Sequence, residues 1–200
     1  MNLTISMALF ALTMSISPGP VNIITLSTGL NHGIRKAVRF VSGATVGFTF
    51  LLLLIGLGLQ ALADQLGVLL DILTVLGAAL IIYFGVKLAT SDGQLETTNS
   101  PVPGFWQGAA LQWLNPKAWG ACLAAVSIFN LQHSRPDLYF FVGLYCVICF
   151  IGIGSWAVFG SQINKWLDTV RKRKIFNFSL GGLLIVLAGM LLFQNFLGSI

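Results

Sequence analysis

The chain has 200 residues, of which 56% are hydrophobic and only 8% charged, with a mean hydropathy of +0.87. A soluble domain carries roughly 25% charged residues, so this composition excludes a chain that covers its own surface with polar groups and points to an all-α integral membrane protein. The net charge of +5 does not signal nucleic acid, because most of the basic residues fall beside apolar runs, in the clusters Arg35/Lys36/Arg39 and Lys165 with residues 171–174, where membrane orientation signals sit and where anionic lipid would be met.

One crossing needs about 20 apolar residues, and the chain supplies six such segments, at 3–30, 38–59, 66–86, 105–131, 138–160 and 176–197. The first lacks a basic leader and continues past Ser17-Pro18-Gly19-Pro20, so it reads as a retained segment and not as a cleaved signal. It is too long for one straight crossing and is interrupted near its middle by Pro18 and Pro20. The third carries Asp71 near its outer end. A stretch rich in Ser, Thr, Gly and Pro, 90–104, follows and reads as a linker. The fourth segment is again overlong and is interrupted by Pro116. The fifth holds Cys146 and Cys149 in C-x-x-C spacing; with Cys122 they lie in apolar runs, without the Trp/Gly/Pro context of a thioredoxin-like motif, and read as packing residues.

Orientation follows from the basic residues in alternate loops. Those after segments one, three and five hold Arg35, Lys36, Arg39, Lys87, Lys165, Arg171, Lys172, Arg173 and Lys174, and those after two and four hold Arg135 alone. This asymmetry predicts an inner-membrane protein with both termini periplasmic and the linker cytoplasmic. Three segments per half force the halves, 1–89 and 105–200, to enter from opposite faces. That is the condition for two inverted three-helix repeats within one transmembrane domain spanning 1–200, and paired Pro-interrupted helices in corresponding positions mark a transporter's binding site.

Each break should start a half-helix. Gly19 loosens the backbone before Pro20, a good first helical residue, and Asn115 is a good N-cap before Pro116. The resulting N-termini favour anions. Lys117 stands about a dozen residues from either end of its segment, where a lone cation costs ~2.5–3.5 kcal/mol on insertion scales. It reads either as the receiver of a substrate carboxylate, or as half of an ion pair with Asp71, or as a side chain snorkelling into a wet cleft. Asp71 in turn reads as an amine or proton site or as an interfacial residue. Trp113, four positions before Lys117, shares its face if the helix is continuous and would then stack on the cation, or else packs in the core. Gly43/Gly47 and Gly104/Gly108 have the spacing of close helix contacts. His32 and His133 stand at loop ends and read as solvated. Metal-ligand clusters, phosphate-binding loops and nucleophilic triads are absent from the sequence, so the chain reads as a non-enzyme without cofactor.

The residues Ser17-Pro18-Gly19-Pro20, Gly33-Ile34-Arg35, Gly43 to Gly47, Leu76-Gly77-Ala78-Ala79, Tyr83 to Gly85, then Phe105, Gly108 and Leu114-Asn115-Pro116-Lys117-Ala118 resemble the LysE/RhtB family of bacterial amino-acid exporters over almost the whole length. The resemblance implies proton-driven efflux of amino acids or their derivatives, with Pro18, Gly19, Pro20, Asn22, Asn115, Pro116 and Lys117 as the positions that carry over. The stretch Asn31-His32-Gly33-Ile34-Arg35 is similar to members exporting small neutral amino acids such as cysteine and O-acetylserine. The expected partners are therefore an amino acid and the lipid bilayer, with self-association left open. A membrane thiol-disulfide carrier is the rival reading, since such carriers have similar repeats but place cysteines at the breaks; a passive channel is another.

Overall fold

The computed structural model describes residues 2–58, 63–92 and 102–197, the side chains of 63–70 and 195–197 excepted. Among these residues eight α-helices follow in order: α1 (Leu3–Ile16), α2 (Pro20–His32), α3 (Ile34–Leu57), α4 (Ala63–Ala89), α5 (Phe105–Trp113), α6 (Pro116–Ile128), α7 (Arg135–Ile163) and α8 (Val170–Leu197), with one 3-10 turn at Leu131–His133. Residues 93–101, most of the expected linker, lie outside the described part.

Both proline breaks fall where the sequence places them. The helices run further than the apolar segments do, because helical geometry continues into the interface. α3 starts at Ile34, one residue after Gly33, whose φ of +81° ends α2, so Arg35, Lys36 and Arg39 belong to the first turns of a helix and not to a loop. Residues 171–174 likewise open α8. Four helices are long and apolar enough to cross a membrane, Ile34–Leu57, Asp71–Ala89, Arg135–Ile163 and Val170–Gln194, and the pair α1 and α2, bent by 62°, makes up to five. The expected span over 105–131 is built from helices of 9 and 13 residues, each shorter than a crossing needs. The architecture is an all-α, multi-pass membrane fold.

Large apolar side chains such as Leu9, Val46, Phe50, Val147, Ile151 and Phe193 cover the outside, as a lipid-facing surface requires. Inside, α2 is enclosed, with every residue from Pro20 to Leu30 buried. α4 packs along α8, α3 along α5, α7 along both α1 and α2, and α3 against α7 and α6. The contact between α3 and α5 is backbone to backbone. A β-carbon at Gly43 would strike the Phe105 carbonyl, one at Gly47 would lie 2.8 Å from the Ala109 Cα, and one at Gly108 would meet the Phe40 carbonyl. Small residues thus bring α3 and α5 together as their spacing predicts, while Gly104 meets only the Gln107 side chain.

Candidate functional site

A broken helix in an apolar interior must find donors for the carbonyls at the end of its first half, since an unsatisfied group there is costly. At the first break the accounting closes. The Met14 carbonyl accepts from the Ser17 hydroxyl (3.0 Å) and that of Ser15 from the Asn22 amide (2.9 Å). The Ile16 carbonyl takes the Trp156 indole N–H (3.2 Å). The Ser17 carbonyl accepts from Asn22 (2.9 Å) and from the Lys117 ammonium (2.9 Å), which also donates to the Ser17 hydroxyl (2.8 Å) and the Pro18 carbonyl (3.3 Å).

Lys117 therefore ties the second break to the first. Its cation stands at the C-terminus of α1, the end of a helix dipole that favours positive charge, and its three donors meet three oxygens. Among the described residues no ion pair joins it to Asp71, which is exposed on α4 and lines neither polar cavity. Gly19 has φ −171° and ψ 173°, extended backbone open to any residue, so the expected need for unusual angles is not what calls for glycine there. Proximity is: a β-carbon at Gly19 would lie 3.3 Å from the Lys117 Nζ.

At the second break Asn115 caps α6, its side-chain oxygen accepting from the Lys117 backbone N–H at 3.2 Å, and Pro116 occupies the first turn. Gly19 is the N-cap of α2 without a side-chain hydrogen bond, and Pro20 occupies the first turn as Pro116 does in α6. Trp113 does not point along α6, because the chain turns at Leu114. Its indole N–H donates to the Gly47 carbonyl (3.1 Å) and its ring packs on Phe50 and Trp119, while Trp119 donates to the Trp113 carbonyl at 2.7 Å. Trp113 holds α5 to α3, the packing role open to it.

Between the breaks lies a cavity of about 40 Å³, lined by Ser15, Gly19, Asn22, Gln112, Asn115 and Lys117 together with Phe48, Tyr145 and Cys149. At 10–15 Å³ per water this is room for about three or four waters, whose share of liquid is roughly 100 Å³, the size class of a small amino acid. Among the described residues Lys117 is the charged residue of the lining and no carboxylate joins it. The structure thus brings Gly19, Asn22, Asn115 and Lys117 to one cavity, sets Ser17 and Pro18 on Lys117 as its oxygen partners, and puts Pro20 and Pro116 at the two helix starts.

The lining also takes in Ser15, Gln112 and Tyr145, which the sequence does not single out, and Cys149, expected as a packing residue. Gln112, an amide in an apolar segment just before the break, was the signal available.

Phe48 and Tyr145 line the cavity and begin a run of ring contacts: Phe48 stacks on Tyr145 (4.5 Å), Tyr145 meets Phe141 edge-on (5.4 Å), Phe141 lies tilted on Phe129 (5.3 Å) and Phe129 meets Phe10 edge-on (5.7 Å). The far end of α2 carries a polar cluster. Asn31 and the fully buried Asn177 exchange amide hydrogen bonds (3.2 and 3.3 Å), with Ser27 and Ser91 as further partners. A second cavity of about 50 Å³ opens beside them, lined by Ser27, Thr28, Asn31, His32 and Lys87; His32 is half-buried there and not solvated, whereas His133 is exposed. The thiols of Cys122, Cys146 and Cys149 are free and none stands at a break.

Residues 12–195 match the family of LysE-type translocators. The chain belongs to that family. It is 31% identical over 159 residues to a "Cysteine/O-acetylserine efflux protein" of Salmonella typhimurium (strain LT2), covering 78% of this chain and 81% of the relative, and 31% identical over 161 residues to the protein of the same name in Escherichia coli (strain K12), with the same coverage. No solved structure matches this LysE-type translocator.

Proposed function

We propose that this translocator exports small neutral amino acids or their derivatives by alternating access at the cavity between the two helix breaks, driven by the proton gradient. The observation that carries the reading is the cavity itself: one cation, two half-helix N-termini and neutral amides, with no carboxylate among the described residues to receive a basic side chain. A zwitterion would place its carboxylate toward Lys117 and the start of α2, replacing the longest of the ammonium's contacts, the 3.3 Å bond to Pro18, and its amine toward Gln112. The relatives named for cysteine and O-acetylserine efflux fit such a lining in size and charge. The breaks carry Ser17 and Asn115 and no cysteine, which does not suit a thiol-disulfide carrier, and Cys149 reaches the cavity from α7 as a free thiol.

Six crossings arranged as inverted repeats are part of this reading. The packing supports it through exchange: α1 rests on α7 as α5 rests on α3, α2 on α7 as α6 on α3, and α4 and α8 pair with each other. Basic side chains in the first turns of α3 and α8 oppose the helix dipole, which disfavours cations at an N-terminus by 0.3–1 kcal/mol each. Their placement serves orientation. Both termini are accordingly expected on the periplasmic side and residues 171–174 in the cytoplasm. Reporter fusions at the C-terminus and cysteine accessibility at residues 165–174 check this, and a cytoplasmic C-terminus would remove both the six-span count and the inverted repeat. For the transport activity, cells loaded with one labelled amino acid at a time should release serine- or cysteine-sized substrates faster when they carry the protein, and lysine or arginine no faster.

A further inference from the structure

Hydroxyls inside apolar helices usually satisfy themselves by donating to a carbonyl three or four residues back. This chain follows the rule widely: Thr25 donates to Val21, Thr28 to Ile24, Ser42 to Val38, Thr49 to Thr45, Ser155 to Gly152 and Ser179 to Ile175, at 2.7 to 3.0 Å. Ser15 departs from it. Its side chain is 6% exposed, it sits in the last turn of α1 and lines the central cavity, and its hydroxyl has no hydrogen-bond partner. The Tyr145 phenol and the Cys149 thiol are close enough to be influenced by it but do not reach bonding geometry. A buried polar group left so costs about 1–3 kcal/mol unless something else supplies the bond.

The position is fixed from behind. α7 presents Gly152 at this level, and a β-carbon there would lie 2.7 Å from the Ser15 Cβ, so α1 and α7 meet at van der Waals distance and the Ser15 side chain is confined on that side. Lys117, whose ammonium the Ser17 oxygens hold, lines the same cavity as Ser15. A small α-amino acid with its carboxylate at Lys117 can therefore extend its side chain to Ser15.

We infer that Ser15 is the specificity residue of the central site: its hydroxyl bonds the polar atom of the substrate's side chain, a hydroxyl, thiol or ester oxygen one carbon beyond the α-carbon, and so favours such amino acids over aliphatic ones of equal size. The inference rests on the amino-acid export reading above. The apolar remainder of this end of the cavity, Met14, Phe48 and Ile153, supplies shape without polar groups, which leaves the choice between polar and aliphatic side chains to Ser15 and its neighbours Tyr145 and Cys149.

The test uses the purified full chain in proteoliposomes and compares serine with 2-aminobutyrate, its isostere with a methyl group in place of the hydroxyl, as competitors for efflux of a labelled substrate. The parent should favour serine, and Ser15→Ala should reduce the serine to 2-aminobutyrate preference by roughly three- to tenfold, the worth of one neutral hydrogen bond. Ser15→Cys should fall between. Because Ser15→Ala keeps the Cβ against Gly152 and removes a hydroxyl without a protein partner, its melting temperature should equal or exceed the parent's. Ser42→Ala, which loses only a lipid-side back-bond, should keep the parent's preference. A parent without preference, or a preference unchanged in both Ser15 variants, overturns the assignment of Ser15 while leaving export standing. A parent that moves no amino acid overturns the export reading, and this inference with it.

Discussion

Lys117→Met is expected to weaken apparent substrate affinity by roughly ten- to a hundredfold, the loss of a charge-assisted contact worth ~1.5–3 kcal/mol. Methionine keeps the length and the apolar stem but leaves the Ser17 hydroxyl and the Pro18 carbonyl without their ammonium donor. A second effect follows. The Ser17 carbonyl retains the Asn22 amide, so the break should loosen without coming apart, and the variant should melt below the parent. Lys117→Arg keeps the charge, yet a planar fork cannot place three donors on oxygens gathered around one compact ammonium, and it should fall between. Two measurements separate the roles at Lys117. Efflux at matched membrane levels, against substrate concentration, reads the binding role; melting of the substrate-free protein reads the bracing role. A variant that melts early but exports with parental affinity would leave Lys117 as a brace alone.

Gly108→Val is expected to reduce the amount of folded protein more than any change in the cavity lining. Its β-carbon would meet the Phe40 carbonyl and lie 2.8 Å from the Ala44 nitrogen, so α5 must move off α3, and overpacking of this kind costs typically 1–3 kcal/mol, occasionally more. The helix that moves carries Gln112 on one side of the cavity and Trp113 on the Gly47 carbonyl, so export should fail together with stability. Gly120 is the control. A β-carbon there has nothing within 4 Å, and Gly120→Ala should gain about 0.5–1 kcal/mol from helix propensity. Melting curves of the two variants in one detergent check the pair; equal stability would mean that α3 and α5 do not pack through Gly108.

Much of this was legible because membrane folding leaves blunt marks in a sequence. Apolar length gave the helices, and the prolines at 18, 20 and 116 gave both breaks, since an interruption in lipid has few causes. The tail of each helix was not legible: charged residues such as Arg35 and Arg171 look like loop, yet helix geometry carries through the interface. Lys117 shows a deeper limit. A break creates two helix ends of opposite sign, and the sequence drew attention to the N-termini that attract anions. The cation instead settles on the C-terminus of α1, a choice decided by which half-helix the tertiary packing brings near. Trp113 and Asp71 failed to reach the site for a similar reason. Their facing depended on a turn at Leu114 and on a helix packing against α8, which local spacing does not encode. Ser15 could not stand out among the chain's many serines until its missing back-bond was seen beside those of its neighbours.

The most direct test of the account is efflux from proteoliposomes containing only the purified chain and loaded with a labelled small neutral amino acid such as serine or cysteine. Faster release than from protein-free vesicles, accelerated when the outside is made acidic and slowed by Lys117→Met, is the predicted result. Release no faster than from protein-free vesicles for every small neutral amino acid tried, with folded protein present and the gradient intact, would contradict it.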